Sequence, residues 1–129
     1  DYERQPGFNV IYAREPSPAG LLAGLAQGHV MLSAGPRLYL EAALADGRTA
    51  IMGDEVPRAA IRSLSLRCEG APAGARVEWI AEGEAVAVWE ADRLSSSPPL
   101  PGDARWALAA LRARDGDMLA LTNPLYIVP

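Results

Sequence analysis

The chain carries one histidine, His29, and one cysteine, Cys68, and they stand far apart in sequence. A catalytic metal needs several converging His, Cys, Asp or Glu ligands, and no zinc-type spacing is present. His29 directly follows Gly28, where an imidazolium would sit near a helix C-terminus or face solvent. A nucleophilic triad would need that histidine beside a serine or cysteine and an orienting acid, but the chain contains no Gly-x-Ser-x-Gly elbow. Cys68 ends the run Ile61 to Cys68, which reads as a strand, so it is expected to be a buried structural thiol.

Two acidic pairs remain. Asp54-Glu55 offers a calcium contact and Glu82-Gly83-Glu84 an acid/base pair, yet neither has the ligand spacing of an EF-hand loop. Glu82 and Glu84 fall at a predicted hairpin tip, where carboxylates are normally solvated. The glycines lack phosphate-loop and dinucleotide spacings. Trp79, Trp89 and Trp106 could form a stacking platform for sugars, but all lie within predicted strands and read as core. The sequence therefore nominates no catalytic, cofactor-binding or metal-ligating residue, and no cofactor.

Composition narrows the class. The chain has 129 residues, enough for one compact domain with a core of its own. Half the residues are hydrophobic, while 12 glycines and 11 prolines favour turns over long helices. Twelve basic residues, all arginine, against 16 acidic ones give a net charge of -4, which argues against a nucleic-acid or anionic-membrane partner. No apolar run approaches the length of about 18 residues that spans a bilayer, and nothing reads as a signal peptide. A start at Asp1 suggests a soluble piece of a longer polypeptide, whose compartment the sequence does not name.

The elements that would position any site are mostly strands. Phe8 to Ala13 reads as a strand. Ser17 then caps a short helix, with Pro18 at its first position, an apolar stripe of Leu21, Leu22 and Leu25, and Gly28 as its stop. From Val30 short runs separated by turns predict an immunoglobulin-like antiparallel β-sandwich of about seven strands. These runs are Val30 to Ala34, Arg37 to Ala45, Ile61 to Glu69, Arg76 to Ala81, Ala85 to Ala91, Ala104 to Arg114, Met118 to Thr122 and Leu125 to Val128. Asp46-Gly47, Glu82-Gly83-Glu84 and Asp115-Gly116-Asp117 mark hairpins. Ser95 to Gly102 is an exposed Ser/Pro loop. Ala104 to Arg114 has helical propensity, but its alternation and the hairpin that follows favour a strand. Residues 1–28 thus form a strand and helix, and residues 29–129 the sandwich.

The run from Ala19 to Pro36, ending Ser33-Ala34-Gly35-Pro36, resembles a segment of bacterial PHP-superfamily metallohydrolases of the CehA/McbA type. There a helix ends in a Gly-basic step and a strand closes on Ser-x-Gly-Pro. Arg76 to Val86 resembles their hairpin, with Glu82 standing where an Asn usually turns the chain. Leu119 to Ile127, containing Thr122-Asn123-Pro124-Leu125-Tyr126, is similar to their tail. His29 stands where an Arg is usual. These segments keep their order, and the likeness spans most of the chain, from about Phe8 to Val128.

The resemblance implies a C-terminal accessory domain following a PHP catalytic barrel, which would itself hold the divalent metals that activate water against a phosphoester. None of the barrel's catalytic residues maps onto this chain, so the chain is expected not to be an enzyme by itself. The barrel is the implied partner. The segment with Phe8, Val10 and Tyr12 is expected either to lie against the sandwich or to form a homodimer. The alternative is an autonomous sandwich that binds carbohydrate or protein.

Overall fold

A computed structural model describes residues 8–11, 30–33, 35–94 and 97–129, and for 8–11 and 30–32 the backbone alone. The predicted helix, His29 and Tyr12 lie outside the described residues, as do the side chains of Phe8 and Val10. Among the described residues the fold is mainly β, with eleven strands and one 3-10 turn. No helix there is long and apolar enough to cross a membrane.

In chain order the strands are β1 (Phe8–Ile11), β2 (Val30–Ser33), β3 (Arg37–Leu44), β4 (Thr49–Ile51), β5 (Glu55–Pro57), β6 (Ile61–Glu69), β7 (Arg76–Ala81), β8 (Glu84–Glu90), β9 (Trp106–Arg112), β10 (Met118–Thr122) and β11 (Leu125–Val128). The runs from Arg37 onward that alternate in sequence are all strands. β4 and β5 are additions, each of three residues, too short for periodicity to reveal. The 3-10 turn, Arg58–Ala60, leads into β6.

Strands β4, β3 and β6 make one sheet, and the other eight make the second. β3 packs across the sandwich against β9 and β10. Alternation explains which side chains meet. Leu38, Leu40 and Ala42 of β3 pair in register with Cys68, Leu66 and Leu64 of β6 and point at the core. From the opposite sheet come Val77, Trp79 and Ala81 of β7, in direct register with Leu111, Ala109 and Ala107 of β9. Trp79 therefore lies beside an alanine, and the large ring fills the space that the small side chain leaves.

The larger sheet is built around β9. β7 and then β8 line one of its edges, whereas β10 and β11 share the other, β10 beside residues 110–112 and β11 beside 106–107. Asn123-Pro124 divides those two strands, since proline cannot donate to a ladder. The Ala109 N–H lies between the two ladders and donates to the Thr122 hydroxyl at 3.0 Å. Beyond β11 comes β5, which runs parallel to it and departs from an all-antiparallel sandwich. Beyond β10 come β2 and then β1, so the backbone of Phe8–Ile11 pairs with the sheet, antiparallel to β2. Among the described residues β8 pairs only with β7 and forms a free edge, and Val88 on it is 52% exposed.

The Ser/Pro loop before β9 closes the side of the sandwich. Pro98 is buried, Leu94 and Leu100 pack on the core, and the buried Trp79 indole donates to the Pro99 carbonyl at 2.5 Å. Arg58, in the 3-10 turn between β5 and β6, donates to the carbonyls of Pro101 and Ala104. A loop expected to be simply exposed thus carries part of the core.

Thr122 is 2% exposed. Thr122→Val keeps its shape but leaves the Ala109 N–H without an acceptor, so urea unfolding should show a loss of about 1–3 kcal/mol. An unchanged midpoint would show that the hydroxyl does not bridge the two ladders.

Candidate functional site

At the end of the sandwich where β6 turns into β7, a cavity of about 480 Å³ opens between three loops. Its walls are the Gly70–Ala75 segment, the end of β8 with Glu90 and Asp92, Arg114 from the β9–β10 turn, and Cys68. The 70–75 segment contributes only glycine, alanine and proline, and that lack of side-chain volume leaves the space. Gly74 has φ +81°, and a Cβ there would run into the Arg114 guanidinium, which lies against it. The volume suits a small ligand.

The chemistry inside is sparse. Cys68 is half-buried, and burial first and the Glu69 charge second hold its thiol above the usual range. At neutral pH it stays protonated and is a weak nucleophile. Glu90 lies 3.9 Å from Arg93, and both side chains are well exposed, so that attraction is screened. Arg114 and the carboxylates could orient a polar ligand, while no described imidazole stands ready to move a proton. Among the described residues, no group of three or more His, Cys, Asp or Glu side chains could hold a metal ion.

The residues weighed in the sequence are placed apart. Asp54 serves the turn between β4 and β5, its Oδ2 accepting from the Ile51 N–H at 2.9 Å, while its neighbour Glu55 points outward. Glu82 is held by Arg105, whose backbone N–H and Nε both donate to Oε1 at 3.0 Å; Glu84 is exposed. Trp79 is wholly buried, and Trp89, beside Val77, packs on the core half-buried. Trp106 differs from the expected core position. Ala107, Ala109 and Leu111 take the inner face of β9, which turns Trp106 to the outer face, half-buried and in register with Tyr126. The tryptophans form no common platform.

The residues on which the expected resemblance rests have local structural work here. The Ser33 hydroxyl accepts from the Gly35 N–H at 2.9 Å and donates to the Pro36 carbonyl, fixing the exit from β2. Thr122, the last residue of β10, accepts from the Ala109 N–H of β9, and Pro124 offers its carbonyl to the Gly53 N–H at 2.7 Å. Glu82 and Gly83 have φ of 52° and 84°, as in a type I′ hairpin turn, a conformation in which Asn is more usual than Glu. The bonds from Arg105 offset the strain of that backbone. Sequence reasoning missed Arg114 and the cavity, because Gly70–Gly74 reads only as a break until the strand ends are brought together.

Comparison with family models, with curated proteins and with solved structures returns no match.

Arg105 holds the Glu82 carboxyl below its ordinary value of 4.5, first through the guanidinium bond and then through the backbone N–H. A lowered folded-state value contributes stability above the unfolded value that is lost as pH falls through the folded one. Glu82→Gln should therefore flatten the acid limb of the stability curve below about pH 4.5 while leaving the limb above pH 7 parallel to wild type. An unchanged acid limb would show that the contact with Arg105 does not couple to folding.

Proposed function

We propose that this chain is a non-catalytic accessory domain of a PHP-type metal-dependent phosphoesterase, packing on the catalytic barrel or supporting its assembly. One observation carries the reading. The motif residues on which the likeness to that family rests, Ser33 and Thr122 among them, are engaged in turns and ladder ends of the sandwich itself. A likeness made of such residues speaks for a shared scaffold. The chemistry would then reside in the barrel, where the divalent metals belong. The described part of this chain provides no matching ligand set, so no step is routed through a metal here.

A second reading, a module that binds another protein, draws on the outer face of the larger sheet, where Trp106 and Tyr126 are register neighbours. Both readings make the domain a partner rather than a catalyst. The test is hydrolysis of bis(p-nitrophenyl) phosphate by the purified chain with added manganese or zinc. The expected rate equals that of metal alone. Turnover proportional to protein and abolished by His29→Ala would overturn the accessory reading.

A further inference from the structure

On the outer face of the larger sheet, strand pairing sets Trp106, Tyr126 and Glu55 in one row across β9, β11 and β5. In the next row Val128 stands beside Pro57. Tyr126 is 43% and Val128 37% exposed, so the row is open at its β11 end. Glu82 is neutralised by Arg105, but Glu55 forms no ion pair with any described residue, and the Tyr126 hydroxyl has no described partner. The patch therefore combines two adjacent aromatic side chains, a carboxylate without a counter-charge among the described residues and a short apolar shelf.

Each part favours the same occupant. Aromatic faces attract a cation, and a carboxylate at the end of the row adds direct attraction. Val128 and Pro57 offer an apolar surface for the methylene stem of a long side chain. A guanidinium suits the row better than an ammonium, because its plane can lie on a ring while its edge donates to the carboxylate. Trp and Tyr are the side chains most often found as anchors of protein interfaces. We propose that Trp106, Tyr126 and Glu55 form a docking site for an arginine presented by a partner protein surface. The inference rests on the reading of this chain as an accessory domain and names its docking face. Its test is independent of the hydrolysis assay, since hydrolytic activity would remove the accessory reading and leave the arginine site untouched.

The probe is N-acetylarginine amide, titrated into the ¹⁵N-labelled chain, with the neutral citrulline amide as control. The expected result is movement of the Trp106 indole signal and of the Tyr126 and Glu55 amides with arginine but not with citrulline. The indole signals of Trp79 and Trp89 serve as internal references and should stay fixed. Glu55→Gln should weaken the response about two- to fivefold. Tyr126→Leu, an exposed position where an apolar residue keeps the strand, should abolish the response without changing the circular dichroism spectrum. A still Trp106 signal, equal movement with citrulline, or a stronger response to a methyl glucoside would each overturn the proposal, the last in favour of a sugar.

Discussion

A buried indole N–H must find an acceptor, and in this sandwich that requirement organises one whole side. Trp79 is the largest fully buried side chain, and a donor left unpaired there would cost about 1–3 kcal/mol. The acceptor, the Pro99 carbonyl, belongs to a loop that would otherwise have no reason to enter. Once the loop is drawn inward, Pro98 and Leu100 complete the core, and Arg58 ties the loop through two further carbonyls to the 3-10 turn that leads from β5 into β6. Pro98, Pro99 and Pro101 lack donors, so the loop accepts hydrogen bonds without becoming a strand. The larger sheet and the turn that crosses to the smaller one are thereby joined by a segment that belongs to neither sheet.

The same economy appears at β9. Its inner face is mostly alanine, which allows Trp79 and the leucines of β3 and β6 to approach closely. Its outer edge is served by two strands because Asn123-Pro124 interrupts the ladder, and a single threonine hydroxyl spans the interruption. Moving β11 away from the line of β10 lets β10 continue into β2 and β11 meet β5. The Trp106, Tyr126 and Glu55 row exists only because of that divergence.

Much of this was legible in the residues. β3, β6 and β7 alternate so regularly that period and inner face both follow from sequence. The segment around β9 is a strand despite its helical composition, since pairing on both edges outweighs a propensity difference of a few tenths of a kcal/mol per residue. Alternation sorted Trp106, Leu108 and Ala110 onto one face but could not say which face was inside. The size of Trp79 on the neighbouring strand decides that, and its register with Ala109 is a tertiary fact. β4 and β5 escaped because three residues show no period and Pro57 reads as a breaker. The cavity beside Arg114 escaped for another reason: empty space has no letter in a sequence.

The free edge of β8 has a final implication. If two copies were laid side by side through this strand, antiparallel about Ala87, the register would bring Glu84 of each against Glu90 of the other. Like charges would face one another at both ends of the new ladder, while the bulge between Ala85 and Ala87 would spoil its middle. The strand that exposes Val88 thus carries its own guard against growing into a fibre.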